Sequence, residues 1–144
     1  MAAEEARPLR PTGRPLTPEH KATLERSLEE LAAAGIDTGD LAAISAAHDD
    51  ASAEWHRLPG RTQAATPPPT DRFAVAIGEY LCRATDLGWA TVVDPLGTDL
   101  GLIAERDDFA VIPGNLVTSR WLNGELGWIP GVIGHVVRVR SDAW

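Results

Sequence analysis

A chain of 144 residues, 44% of them apolar and 24% charged, is long enough for one compact core and too apolar for a fully disordered acidic polymer. Its 21 Asp and Glu against 13 Lys and Arg give a net charge of −8, and the first 70 residues (11 acids, 7 bases) carry as much of it as the remainder (10 acids, 6 bases). Neither half holds the cationic cluster that a nucleic-acid groove requires, the only short basic element being Arg138-Val139-Arg140, which reads as a solvated strand or helix end.

Residues 1–16 contain Pro8, Pro11 and Pro15, which remove backbone donors, and are expected to form a flexible arm. Thr17-Pro18-Glu19 then reads as a helix start, with a hydroxyl at the N-cap, proline at the first helical position and an acid in the first turn. That helix should run to about Ala34 with Leu24, Leu28 and Leu31 on one face, and Gly35 should end it. Asp40 caps a second helix reaching His56 or Arg57, with an apolar stripe of Leu41, Ile44, Ala47, Ala51 and Trp55. Together these elements predict a helical hairpin over residues 17–57. Residues 58–70 carry four prolines without periodicity and read as a linker or surface brace.

The body is expected over residues 71–144. A third helix, capped by Thr70-Asp71 and reaching about Thr85, has Phe73, Ala76, Ile77, Tyr80, Leu81 and Ala84 on one side, with Val75 and Cys82 widening the apolar surface. A helix this apolar should be central. Trp89–Val93, Asp99–Ala104 and Phe109–Ile112 have strand composition and are separated by the turn Asp94-Pro95-Leu96-Gly97 and the charged turn 105–108. Sequential strands usually pair, so a three-stranded antiparallel meander is the simplest topology. Pro113-Gly114-Asn115 opens a further helix stopped by Asn123-Gly124, and the last segment favours a helix started by Pro130, although residues 137–140 alternate like a strand. The fold class is therefore α+β: a helical hairpin, a helix, a three-stranded meander and one or two C-terminal helices.

Cys82 is the single cysteine, so neither an internal disulfide nor a multi-cysteine metal or redox motif is available. The first residues lack the basic start and apolar run of a secretory leader, and the longest apolar stretches fall short of the ~20 residues of a spanning helix. A reducing, cytoplasmic setting without membrane, nucleic acid, metal or cofactor is the expectation.

Few residues combine into a site. His48 falls within the apolar stripe of the second helix and reads as a core histidine, while Asp49, Ser52 and His56 align on an adjacent, solvated face. Asp94 and Asp99 flank a turn whose chemistry explains Asp94 without a ligand. Ser119, His135 and Asp142 form a triad in composition only, lacking a nucleophile-elbow motif, and Gly127, Gly131 and Gly134 have the wrong spacing for a nucleotide cradle. Cys82 reads as an inert core thiol.

The five tryptophans carry more weight beside only two Phe and one Tyr. Trp55 and Trp89 fit apolar stripes. Trp121 and Trp128 bracket the loop 123–127, where large rings either complete a small core or anchor a partner.

From Asp71 onward the sequence resembles an uncharacterised bacterial domain of unknown function found in short stand-alone proteins. The resemblance covers about residues 71–140 and rests on residues 73–81, Leu87-Gly88-Trp89, Val92-Val93-Asp94, Gly97-Thr98-Asp99-Leu100, and Pro113 followed by Arg120 and Gly124-Glu125. It implies a helix, a small antiparallel sheet and further helices, and brings no activity or catalytic residue with it. The glycine-rich segment 127–134 departs from the family pattern.

The functional expectation is a non-catalytic, acidic, cytoplasmic protein-binding module, an inhibitor or immunity-like antagonist of a basic partner, since complementary charge speeds encounter. The runner-up is a small-ligand binder or small hydrolase with a pocket near the C-terminal tryptophans. Trp121, Trp128, Trp89, Asp99 and His135 are the candidate binding residues, and a homodimer through the apolar C-terminal segment is a third arrangement.

Overall fold

The computed structural model describes residues 11–143, so most of the expected N-terminal arm and Trp144 lie outside the described residues. Among them the chain forms six helices and a four-stranded sheet, an α+β fold. In order these are β1 (Thr12–Arg14), α1 (Pro18–Ala34), α2 (Leu41–His56), α3 (Gly60–Ala65), α4 (Thr70–Ala84), β2 (Gly88–Asp94), β3 (Gly97–Ile103), β4 (Ala110–Val111), α5 (Pro113–Leu122) and α6 (Ile129–Ala143).

The expected helix signals act where they stand. Thr17 Oγ1 accepts the His20 backbone N–H at 3.1 Å, Asp40 Oδ1 accepts that of Ala43 at 3.2 Å, and Gly35 closes α1 in the left-handed conformation at φ 71°. α4 instead begins after Pro69 with no side-chain cap. The turn between β2 and β3 is held by Asp94 Oδ1, which accepts from the backbone N–H groups of Leu96 and Gly97 at 2.8 and 2.9 Å. That use of the carboxylate is turn chemistry, as its sequence implies.

Two segments expected to lack regular structure do not. Residues 12–14, assigned to the flexible arm, form an edge strand antiparallel to β2 with Gly13 opposite Val92, which turns the meander into a sheet of order β1-β2-β3-β4. Prolines disfavour helix but are tolerated beside an edge strand, and Pro11 and Pro15 lie just outside the three paired residues. The proline-rich segment contains the short helix α3, braced where Trp55 Nε1 donates to Thr66 O at 2.8 Å. The final segment is one 15-residue helix and not a strand.

α4 is the central element, with Phe73 to Gly78 and Leu81 all buried and α1, α2, α5, α6, β2 and β3 packed around it. Leu31 of α1 and Ile44 of α2 belong to the same apolar cluster as Phe73, Ile77, Leu102 and Ile133, so the hairpin and the body share one core. Gly78 permits the closest contact in it: a Cβ there would collide with the six-membered ring of Trp89, so β2 seats an indole directly on the α4 backbone.

The C-terminal helix is tied down by charge. Arg140 Nε and Nη2 donate to the two carboxylate oxygens of Asp86 at 3.1 and 2.9 Å, Nη2 lies 3.5 Å from Asp108, and the guanidinium sits 5.2 Å from the Phe109 ring centre. Arg140 is 4% exposed, so the reading of Arg138-Val139-Arg140 as a solvated basic end holds for Arg138 alone.

Candidate functional site

The first turns of α1, α4 and α5 converge over β3 and leave a cleft of about 330 Å³, near the lower end of the range for small-ligand sites. Trp89, Leu100, Val75 and Ile112 give it apolar walls, while His20, Asp71, Asp99 and Asn115 supply polar groups. Local structure fixes each wall. His20 is set by the Thr17 cap of α1, and its Nδ1 shares a hydrogen bond of 2.9 Å with Thr91 Oγ1, which also accepts the Thr17 N–H at 3.1 Å. Trp89 Nε1 donates to Glu79 Oε2 at 2.8 Å, and that bond with the Gly78 contact orients the indole. Asp71, in the first turn of α4, lies at the rim 3.4 Å from Arg26.

The electrostatics of the lining are one-sided. The lining residues include the acids Asp71 and Asp99 and neither lysine nor arginine. A positively charged group entering the cleft meets complementary charge, with Arg26 at the rim as the resident partner of Asp71.

Of the five residues singled out by sequence, the structure brings Trp89 and Asp99 together in the cleft and leaves the other three elsewhere. His135 is exposed on α6. Trp121 and Trp128 are 0% and 9% exposed, so both indoles pack inward and neither stands on the 123–127 loop as an anchor. The physical reason is His48. That imidazole is fully buried, and Phe73, Trp121 and Trp128 meet it edge to face with ring centres 5.4–5.5 Å away. Its Nδ1 is 2.9 Å from Asp49 Oδ1, and the same carboxylate accepts the Gly127 N–H at 3.1 and 3.2 Å. Asp49 is thus no member of a solvated face: it fastens the loop that carries Trp128. Ser52 is buried as well, and its backbone carbonyl accepts from His56 Nδ1 at 2.8 Å.

Sequence reasoning missed His20, Asp71 and Asn115 as cleft residues. They come from three elements far apart in the chain, and each sits where helix-start chemistry already accounts for it. Ser119 Oγ donates to Asn115 O at 3.0 Å within α5, and its composition-only partner His135 lies on another helix. Among the described residues no three His, Cys, Asp or Glu side chains are grouped to hold a metal ion.

Cys82 is half-buried against the core and not fully inside it. It is unpaired, and burial, with the negative charge of Glu79, pushes its pKa up to about 11. The thiolate is therefore scarce near neutrality. Alkylation by iodoacetamide at about pH 8 should run roughly tenfold or more slower in the folded chain than in urea. Equal rates would contradict the burial.

Residues 63–130 match the family model described as Domain of unknown function (DUF3806). The match covers 68 of the 144 residues, a little under half of the chain. The matched segment spans α4, the sheet strands β2 to β4 and α5, and so contributes Asp71, Trp89, Asp99 and Asn115 to the cleft, whereas His20 comes from outside it. No curated protein and no solved structure matches the chain.

Proposed function

We propose that this chain is a non-catalytic, acidic protein-binding module that takes a basic partner, and that the cleft between α1, α4, α5 and β3 is its seat. The observation that carries the reading is the cleft lining: two carboxylates, no lysine or arginine, and apolar walls set by Trp89 and Leu100, in a chain of net charge −8. Net negative charge steers a cationic partner toward the module, and a partly apolar cleft gives its side chains somewhere to bury. An inhibitor or immunity-like antagonist of a basic protein is the role that suits such a module. We place it in the cytoplasm on the strength of its single unpaired thiol, and its bacterial source rests on the resemblance alone. No helix among the described residues is long and apolar enough to cross a membrane.

One observation favours a second reading, because a volume of about 330 Å³ also suits a small molecule. The two are separated by titrating the isotope-labelled chain with pools of Lys- and Arg-rich peptides and, in parallel, with small neutral fragments. The expected result is a salt-sensitive shift of the Trp89 indole, Leu100 and Asn115 signals with the basic peptides. Shifts with fragments alone would transfer the cleft to a small ligand, and no shift with either would remove it as a binding site.

A further inference from the structure

The outer edge of β3 is incompletely paired. β4 covers only Leu102 and Ile103, and the Ala104 N–H donates to Phe109 O at 2.8 Å. Because antiparallel hydrogen-bonded pairs recur every second residue, Ala104 opposite Phe109 makes Leu102 opposite Val111 the next such pair. The pair after that would join Leu100 to residue 113. Residue 113 is proline, without an N–H, and it is where the chain turns away into α5. The ladder therefore stops one step short, with the N–H and C=O of Leu100 directed to the side on which no strand of the described residues lies. Leu100, Ile112, Pro113 and Gly114 all line the cleft, so this gap in the ladder opens into it.

Resting on the binding-module reading, we infer that the cleft receives an extended segment of a basic partner protein, added as a strand to the outer edge of β3 in line with β4, with a lysine or arginine opposite Leu100. Directly opposed residues share a face of the sheet, and the face of Leu100 is also that of the buried Leu102, which is turned to the helices. The residue facing Leu100 thus points into the cleft. Its alkyl stem lies along Trp89 and its cationic end meets Asp71, where it shares the carboxylate with the exposed Arg26, 3.4 Å away. Main-chain bonds to Leu100 supply register and the side chain supplies selectivity, the division of labour in strand addition.

The test uses the full chain and an end-capped tetrapeptide Lys-Thr-Val-Thr, whose lysine comes first because Ile112 and β4 fill the places opposite residues 101–103. In the free chain the Leu100 amide should exchange at least about tenfold faster than that of Leu102, and saturation with peptide should remove the difference. N-methylation of the lysine should weaken binding about tenfold, methylation of the residue next to it much less, and glutamate in place of the lysine should abolish it. The exposed Asp71→Asn change should weaken the lysine peptide while leaving the melting temperature unchanged. If the peptide shifts the cleft signals but leaves Leu100 exchange untouched, or if neighbouring methylation is as harmful, strand addition is overturned and the binding-module reading stands. If the tetrapeptide fails to bind while Lys- and Arg-rich pools still shift the cleft, strand addition is again overturned; failure of both removes the binding-module reading with it.

Discussion

Replacing Trp121 with alanine should destabilise the chain by about 3–5 kcal/mol, the loss typical of a large aromatic removed from a core. The indole is fully buried and lies against His48, Phe73 and Trp55, with ring centres 5.5, 6.2 and 6.1 Å away, so its removal opens a cavity where α5, α2 and α4 meet. For a domain of this size the expected drop in melting temperature is on the order of 10 °C. Trp121→Phe should retain most of the stability, because Nε1 of the native indole has no hydrogen-bond partner to lose and the ring stack on Phe73 survives. Denaturant midpoints for the two variants check this. If Trp121→Ala left the midpoint unchanged while weakening a partner, the ring would belong to an interface and not to the core.

That pair of variants also shows why tryptophan count alone misleads. Trp121 and Trp128 stand on either side of a Gly- and Asn-containing loop, and such a loop looks like a place to present rings to a partner. Nothing in their own neighbourhood reveals that His48, more than 70 residues earlier, supplies the surface they pack on, or that Asp49 holds the Gly127 N–H and pulls the loop inward. His48 itself was legible, because its helical spacing places it in an apolar stripe. The same holds for the starts of α1 and α2, the Gly35 stop, the central character of α4 and the β2–β3 turn, all of which depend on residues within a few positions. What depends on distant pairing was not legible. β1 is three residues long and exists only because Val92 and its neighbours offer an edge, and the cleft needs three helix starts brought together by tertiary packing. Trp89 and Asp99 were found by type and by turn position. Asp71 was read only as part of a helix start, and His20 was not singled out.

The Arg140–Asp86 pair should produce the other large effect. Arg140→Leu is expected to cost about 3–5 kcal/mol, since it leaves the Asp86 carboxylate, whose side chain is 15% exposed, without the two charge-assisted hydrogen bonds that it receives from the guanidinium. Hydrogen bonding to Asp86 holds the guanidinium pKa above its already high ordinary value, burial opposing it. A cation whose folded pKa is raised contributes fully below its unfolded pKa and loses that contribution only as pH climbs through the folded one. Arg140 therefore adds no pH dependence at neutral or mildly alkaline pH, and the cost of Arg140→Leu should be the same at pH 7 and pH 9. Asp108 is the weaker partner, at 3.5 Å with a side chain 52% exposed, and Asp108→Asn should change stability by no more than about 0.5 kcal/mol. The decisive comparison is the double variant Arg140→Leu with Asp86→Leu. Replacing both ions by apolar groups removes the carboxylate that the single variant deprives of its guanidinium, so the double variant should recover most of the stability lost in the single one, less the Glu105 N–H bond that Asp86 also accepts at 3.3 Å. If the two losses simply added, the pair would be acting as two independent packing contacts, and α6 would be held by its apolar face alone.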